Sequence, residues 1–437
     1  MSNIEGAAID FSFPKGEKAL LAYLLLASLV ARISLFRVPG YGGDLQAFYT
    51  WFNLAAQHGP LVFYKVCAPL VPCDYPPFNV YIFWVFGSVA TWFSSLNGWT
   101  SPILKLPSTL FDTATAGLIF VFLRRRLSFD VSLVTTTFYA FNPATIFNAS
   151  IWGQFDAIYT FFLISSIVLM LESKPKLSVA SFTMAVLTKP QSVALAPLII
   201  FLLVKNHNLK TLAASIATSA ALVMAVSIPV SLNNFASFIV NIYLTGYREY
   251  AYTSTNAFNL WALGGLLKSD SQTFLFLNLF QIGWIMFGTL AAVSLYLLYK
   301  KIQRTEERGY NFEMAVLFTA FVLLFGFFML PTRIHERYLF PAIGVLTMML
   351  PFVKESRPLY GVLTVTYLAN MWYVLLFLNE GNKLIPDGDP VVYVISAINL
   401  AALVYTIFVM LRKQRLGTII PPKTKTQGVQ LAGEARC

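Results

Sequence analysis

Long apolar stretches recur along almost the whole chain and are separated by short polar turns. Most of them are long enough to cross a hydrocarbon core of about 30 Å, which takes about 20 helical residues. Two shorter stretches, 177–188 and 191–204, flank Lys189 and Pro190. They predict two short helices that meet at a break inside the membrane, because proline removes a backbone donor and lysine is costly in lipid. The longer stretches cover residues 19–36, 103–123, 129–148, 157–172, 209–230, 273–299, 312–330, 338–353, 358–378 and 390–411.

This pattern predicts an all-α polytopic membrane protein with about twelve transmembrane helices. The composition agrees, because 57% of the 437 residues are apolar and only 12% are charged. A soluble domain carries about 25% charged residues, so a large water-facing globule is excluded, as is a disordered or fibrous chain. The net charge of +11 would point to nucleic acid in a soluble protein, but here it serves to orient the helices in the membrane.

The aromatic stretch 77–97 decides the topology, because counting it as a span inverts every later segment. Positive charge in short loops belongs on the cytoplasmic side. If 77–97 does not span, 21 of the 31 Lys and Arg residues are cytoplasmic, and if it does span, only 9 are. We therefore expect interfacial helices within a first external loop, 37–102, and both termini in the cytoplasm. One membrane domain, 1–411, would then be followed by a cytoplasmic polar tail, 412–437.

Four acids lie on the predicted external face or close to it. Asp44 follows two glycines just after the first span, where it could act as a general base or cap an interfacial helix. Asp74 could orient a substrate or cap the next helix. Asp156 could form hydrogen bonds to the first loop and orient its base, or it could cap the helix that begins there. Asp112, inside a span, is either functional or the partner of Arg32 or Lys105.

Cations on the same face could hold a phosphate. Lys189 lies at the break between two half-helices, and Arg333 and Arg337 flank His335 on an external turn. The planar fork of arginine suits phosphate oxygens, so the three cations could form a site for a phosphorylated leaving group. The alternatives are an Arg-Glu network through Glu336 and side chains that reach toward the headgroups. His335 is more easily explained as a structural hydrogen-bonding residue.

The remaining polar residues carry little chemistry. Cys67 and Cys73 share the first external loop, where an oxidising compartment would allow a disulfide, but their spacing alone does not establish one. Three histidines without ligand spacing give no metal site, and no nucleotide-binding motif is present. We therefore expect no metal and no cofactor.

Seven short motifs, taken in order, resemble those of the GT-C glycosyltransferases, integral membrane enzymes that use polyprenyl-phosphate-linked sugars. The chain looks most like the GPI-mannosyltransferase-like group and the dolichyl-phosphate-glucose glucosyltransferases. It departs from the latter in the second external loop, where they carry a histidine, so mannose and glucose both stay open. The motifs are Gly43-Asp44-Leu45-Gln46, Asp74-Tyr75-Pro76-Pro77, Lys105-Leu106-Pro107-Ser108, Trp152-Gly153-Gln154-Phe155-Asp156, Thr188-Lys189-Pro190-Gln191, Asn256 to Leu260 and His335-Glu336-Arg337-Tyr338.

The resemblance implies roles for these residues. Asp44 would be the catalytic base and Asp156 the acid that assists it. The donor phosphate would contact Lys189, Arg333, His335 and Arg337. Substrate contacts are expected from Asp74, Tyr75, Gln154, Gln191, Asn256 and Glu336.

We therefore expect an inverting hexosyltransferase that is active at the external or luminal membrane face. Its partners would be a polyprenyl- or dolichyl-phosphate-linked sugar, a glycan or glycolipid acceptor and the bilayer; we expect a monomer and no nucleic acid. A transporter or lipid flippase is the alternative, since broken helices with a midplane charge also build transport sites. A non-catalytic subunit would leave the external acids unexplained.

Overall fold

The computed structural model describes residues 14–92, 102–231, 234–304, 310–381 and 383–415. Its architecture is almost entirely helical, which confirms the expected fold class. The α-helices are α1 Lys15–Ser34, α2 Gly42–His58, α3 Phe63–Cys67, α4 Pro77–Trp92, α5 Leu106–Arg124, α6 Phe129–Ala140, α7 Pro143–Ile146, α8 Asp156–Leu171, α9 Pro175–Thr188, α10 Ala196–Asn206, α11 Leu209–Ser227, α12 Phe235–Glu249, α13 Leu279–Arg304, α14 Tyr310–Met329, α15 Phe340–Met349, α16 Ser356–Asn379 and α17 Pro390–Arg415.

Short elements connect these helices. A π-helix runs from Phe147 to Trp152, and two short antiparallel strands, β1 Thr273–Phe274 and β2 Leu277–Asn278, form a hairpin before α13. The 3₁₀ helices are Pro60–Val62, Pro102–Lys105, Pro190–Leu195, Ile228–Val230 and Trp261–Gly264.

Six of the described helices are long and apolar enough to cross a membrane, as expected of an integral membrane protein. Together with their flanking turns they are Pro102–Arg124, Leu209–Val230, Leu279–Gln303, Asn311–Met329, Ser356–Asn379 and Pro390–Arg412. The expected total of about twelve spans stays a prediction. The break at Lys189 and Pro190 is confirmed, because α9 ends at Thr188 and a 3₁₀ turn begins at Pro190.

Three apolar stretches fold differently from the predicted single spans. The prediction of one helix over 129–148 is wrong. The first helix ends at Ala140 and a new one begins at Pro143, which lacks a backbone donor. The stretch 338–353 holds a helix of only 10 residues, and 273–299 begins with the hairpin. In the loop predicted to be external, 37–102, α2, α3 and α4 are helices as expected. Residues 93–101 of that loop and 416–437 of the predicted tail lie outside the described residues.

Ion pairs gather at one end of the bundle. Arg124 pairs with Glu17 at 3.0 Å and Arg126 with Glu313 at 2.6 Å. These contacts join the start of α1, the end of α5 and the start of α14, which are the ends that the charge count placed on one side of the membrane. The relative direction of these helices therefore matches the expected topology.

A buried polar pair lies inside the bundle, between α1 and α5. Arg32 and Asp112 are both fully buried and lie 2.6 Å apart, and the Tyr139 hydroxyl donates to the second Asp112 oxygen at 2.7 Å. Asp112 thus has Arg32 as its partner, while Lys105 donates to the carbonyl oxygens of Phe36 and Val38. Removal of either partner alone would leave an unpaired buried charge, which is strongly destabilising.

The helices of the first loop form an aromatic core of their own. The ring of Trp51 stacks on that of Phe83 at 5.5 Å, which joins α2 to α4, and Phe155 packs 4.9 Å from Phe48. Such ring pairs contribute about 0.5–1.5 kcal/mol each beyond their burial. Since Phe155 belongs to the turn before α8, this core fixes the first loop against the membrane bundle.

Candidate active site

A cavity of about 350 Å³ opens between the first loop, the Lys189 break and the segment after α14. Polar and charged side chains line one part of it, and Trp284, Phe327 and Val193 form an apolar wall. Eight of the twelve residues predicted for the site line this cavity. They are Asp44, Asp74, Tyr75, Lys189, Gln191, Arg333, His335 and Arg337.

Asp44 lies in the first turn of α2, and its carboxylate is held from outside that helix. Its Oδ2 accepts a hydrogen bond from Nε1 of Trp152 at 2.8 Å and another from Nε2 of Gln154. No capping bond of its side chain starts α2, whose N-cap is Tyr41. The two donors satisfy one oxygen, and among the described residues none donates to Oδ1.

The turn 152–156 reverses the chain at a glycine. The π-helix ends where Gly153 takes a left-handed φ of 85°, a conformation that costs glycine little. The amides of Gly153 and Gln154 both donate to the carbonyl oxygen of Asn148 at 3.0 Å. The chain therefore reverses sharply, and Trp152 and Gln154 extend toward Asp44.

Gly40 lets the segment before α2 approach this turn. A Cβ atom at Gly40 would lie 2.6 Å from the carbonyl oxygens of both Ile151 and Trp152. Lys105 holds the same segment in place, because its Nζ donates hydrogen bonds to the carbonyl oxygens of Phe36 and Val38. The position of Asp44 is thus set by a backbone contact between two loops far apart in sequence.

Asp156 serves the other side of the cavity. Its Oδ1 lies 2.8 Å from Nζ of Lys189, and its Oδ2 accepts from Nδ2 of Asn148 at 3.0 Å. Asp156 is fully buried, and its side chain does not cap α8. One short turn, 152–156, therefore holds both Asp44 and Lys189. Trp152 and Gln154 bind the first, and Asp156 binds the second.

The cations after α14 differ in how they are paired. Nε of Arg333 lies 2.7 Å from Asp270, which also accepts from Thr332, so this charge is compensated. Nη1 of Arg337 lies 2.7 Å from the buried Glu336, as the network interpretation expected. Arg337 lines the cavity, and among the described residues none accepts a hydrogen bond from its buried Nε.

His335 adds no charge to this group. Burial lowers the pKa of His335 well below its usual value of 6.5, and the positive charges of Arg337 and Lys189 lower it further. Its ring packs 4.8 Å from that of Tyr250, and its backbone bridges to residues 255 and 256. A neutral histidine there donates or accepts hydrogen bonds but does not attract an anion.

Asp74 and Tyr75 line the cavity directly after a short loop that a disulfide between Cys67 and Cys73 closes. Tyr64 donates to the carbonyl oxygen of Tyr75 at 2.6 Å. Nζ of Lys189 lies 5.5 Å above the Tyr75 ring, within cation-π range. The structure thus pairs the two cysteines, which the sequence left open.

Four predicted residues do not line the cavity. Asp156 and Gln154 support residues that do. Glu336 is 2% exposed and bound to Arg337, and its role as a substrate contact stays a prediction. Asn256 has a left-handed φ of 65°, its carbonyl oxygen accepts from Asn370, and its substrate role also stays a prediction.

Sequence reasoning missed other residues of the site. Trp152 belonged to a noted motif, but nothing in the sequence shows that its indole donates to Asp44. Asp270, Tyr250 and Trp284 come from segments without a motif. Within the described residues, no group of three or more His, Cys, Asp or Glu could hold a metal ion.

Comparison with known proteins finds resemblance in structure alone. No family model matches the sequence, and no curated protein matches it. ArnT from Cupriavidus metallidurans, solved with undecaprenyl phosphate, has a TM-score of 0.46 and 13% identity, with 93% of this chain and 78% of ArnT covered.

The Archaeoglobus fulgidus oligosaccharyltransferase in its apo form gives a TM-score of 0.44 and 13% identity, with 95% of this chain covered. The same enzyme tethered to an acceptor peptide with an NVT sequon gives 0.44 and 13%, with 93% covered. The chain spans 57% and 56% of these two structures, little more than half of their length.

Proposed function

We propose that this chain is a GT-C glycosyltransferase that transfers a hexose, mannose or glucose, from a polyprenyl- or dolichyl-phosphate to a hydroxyl of a glycan or glycolipid. The reaction would invert the anomeric centre at the external or luminal membrane face. The observation that carries the proposal is the cavity itself. It presents an oriented carboxylate, Asp44, together with Lys189 and Arg337, at the end of the bundle opposite the basic ion pairs.

Asp44 suits the role of general base. Its Oδ2 is occupied by Trp152 and Gln154, which fix the carboxylate plane. Its Oδ1 is then available to an acceptor hydroxyl that enters the cavity. A base within hydrogen-bond reach of the attacking oxygen accelerates such a step by about 100- to 10,000-fold.

Arg337 and Lys189 suit the leaving phosphate. The buried Nε of Arg337 has no protein acceptor among the described residues, and a buried donor of this kind calls for a ligand oxygen. Lys189 is held by Asp156 at 2.8 Å and lines the same cavity. Arg333 contributes less, because Asp270 compensates its charge.

The proposed step is a single displacement. Asp44 takes the proton of the acceptor hydroxyl, whose oxygen forms a bond to the anomeric carbon. The bond from that carbon to the phosphate oxygen breaks, and polyprenyl phosphate leaves with the electron pair. Arg337 and Lys189 stabilise the charge that develops on the phosphate, while the apolar wall of Trp284, Phe327 and Val193 contacts the first units of the lipid.

The substitution Asp44→Asn tests the base. We expect it to lower sugar transfer by at least about 100-fold, because asparagine keeps the shape of the side chain but accepts no proton. Transfer is measured in detergent from a radiolabelled polyprenyl-phosphate hexose to a glycolipid acceptor. Asp387→Asn, which changes an exposed acid paired with Lys268, is the matched control and should keep full activity.

Full transfer by the Asp44→Asn protein would overturn the assignment of the base. The same assay separates the proposal from the transporter alternative, since transfer in detergent needs neither a vesicle nor a gradient. If the unaltered protein transfers no sugar from mannosyl or glucosyl polyprenyl phosphates, the proposed reaction is wrong.

A further inference from the structure

A second hollow lies outside the candidate active site, at the surface of the bundle. This groove of about 670 Å³ runs between α1, α5 and α8, and none of its lining residues lines the candidate active site. Small residues line its floor, namely Ala22, Ala114, Gly117 and Ser165. Because α5 is long and apolar enough to span a membrane, we expect this open space to face lipid.

The groove has the length of a lipid chain segment. Along α5 its lining extends from Ala114 to Arg125, a rise of about 16 Å at about 1.5 Å per residue. Along α8 it extends in parallel from Phe161 to Glu172. Apart from Ser165, the walls between these ends are apolar.

All charged lining residues lie at one end of the groove. They are Lys18, Arg125 and Glu172, and Arg125 lies 2.8 Å from Glu172. Arg126 also reaches Glu172, at 3.3 Å, so this acid is shared between two arginines. The groove therefore has apolar walls and, at the end that we call its mouth, an excess of positive charge from Lys18 and Arg125 over Glu172.

We propose that this groove binds one anionic phospholipid. Its phosphate lies at Lys18 and Arg125, and an acyl chain lies along the floor at Gly117 and Ala114. Charge complementarity selects the occupant, since anionic headgroups are attracted to basic residues at the membrane surface. A zwitterionic lipid would gain the apolar contacts but not this attraction. The proposal is independent of the sugar-transfer reaction.

A second groove in the same chain serves as an internal comparison. It has a volume of about 470 Å³, lies between α6 and α16, and carries Asp130 and Arg357 as its charged lining residues. One acid and one base give no excess charge, so this groove should not prefer anionic lipids. A substitution that fills it is a matched control.

The test measures lipid binding to the full-length protein after removal of lipid in detergent. Phosphatidylglycerol and phosphatidylcholine with identical acyl chains are added, and bound lipid is counted by native mass spectrometry. We expect one phosphatidylglycerol to bind at least about fivefold more tightly than phosphatidylcholine. Lys18→Gln should reduce this preference to about twofold or less, because it removes one cation from the mouth.

Filling the groove should remove binding of both lipids at this site. Gly117→Leu places a side chain on the floor, and Ala22→Leu does so from an exposed position of α1, so folding of at least one variant is expected. The control Val134→Phe fills the other groove and should leave the preference unchanged. Equal affinity for the two lipids would overturn the proposal, and so would unchanged binding in both filled variants. A groove that instead accommodates a partner helix would show no preference between the two lipids.

Discussion

At the scale of single residues, the candidate site depends on hydrogen bonds that hold Asp44 from one side. Trp152 and Gln154 both donate to the same carboxylate oxygen. Two donors fix the plane of a carboxylate, which matters because a general base must meet the attacking hydroxyl at hydrogen-bond distance. Trp152 is therefore a positioning residue: in the proposed reaction it touches the base and not the reacting atoms.

Trp152→Phe should lower kcat by about tenfold and leave KM for the donor unchanged. Phenylalanine keeps the aromatic contacts of the buried ring but lacks the Nε1 donor, so Asp44 loses one of its two positioning bonds. Steady-state kinetics of sugar transfer measure this split. Trp92→Phe, at an exposed position of α4, is the control, and an unchanged kcat in Trp152→Phe would refute the positioning role.

His335 illustrates how burial decides the charge of a residue. The pKa of His335 is lowered well below 6.5 by burial and by Arg337 and Lys189. The unfolded chain therefore binds a proton on this histidine at a pH where the folded chain does not. Its contribution to stability is complete above about pH 6.5 and is lost as the pH falls below that value.

His335→Gln should make the protein less sensitive to acid. Between pH 7 and pH 5 we expect the variant to lose less free energy of unfolding than the unaltered protein, by on the order of 1 kcal/mol. Thermal unfolding in detergent across this pH range measures the difference. The exposed His58 provides the control substitution, His58→Gln, and equal pH slopes for His335→Gln and the unaltered protein would contradict the prediction.

At the scale of elements, the site is built by breaks in helices. The π-helix that ends at Gly153 and the break at Lys189 and Pro190 bring Trp152, Gln154, Asp156 and Lys189 to one place. Breaks expose backbone groups and redirect the chain, which uninterrupted helices cannot do. The break at Lys189 could be predicted, because proline marks it. The π-helix could not, because no residue type specifies it.

Gly40→Ala should displace the segment before α2 from the turn at Trp152. The new Cβ would lie 2.6 Å from two backbone carbonyl oxygens, and neither can move without moving the turn. We expect at least about a tenfold loss of transfer and a destabilisation of about 1–3 kcal/mol. Transfer and thermal unfolding are measured together, with Gly361→Ala as the control, since a Cβ at Gly361 meets nothing within 4 Å. Unchanged activity and stability in Gly40→Ala would show that this contact does not position Asp44.

At the scale of the whole molecule, the two ends of the bundle differ in their chemistry. One end carries Arg124, Arg126, Glu17 and Glu313 in ion pairs, and the other carries the cavity. Basic residues concentrate on the cytoplasmic side of membrane proteins. We therefore predict that the cavity faces away from the cytoplasm.

Single cysteines test this orientation. In a Cys437→Ser background, Ser271→Cys should react with a membrane-impermeant maleimide added to sealed cells, because Ser271 is exposed near the cavity end. Ser128→Cys, exposed between α5 and α6, should react only after permeabilisation. The reverse pattern would invert the topology and place the active site in the cytoplasm.

The sequence by itself determined the helical membrane class, most helix positions and eight of the residues that line the cavity. It could do so because a span needs about 20 apolar residues and because charges are rare there. Hence Asp44, Lys189 and Arg337 stood out before any contact was known.

Only the tertiary structure decided how those residues are paired. Asp156 pairs with Lys189 and not with Asp44, and Asp270 compensates Arg333. Within the described part of the chain, Nε of Arg337 has no acceptor although Glu336 binds its Nη1. The pairs of Asp156 with Lys189 and of Asp270 with Arg333 join distant segments, and each needs the two charged groups to lie within hydrogen-bond distance. Hydrophobic periodicity places a helix in the membrane, but it does not fix the rotation and depth that decide which polar atoms meet.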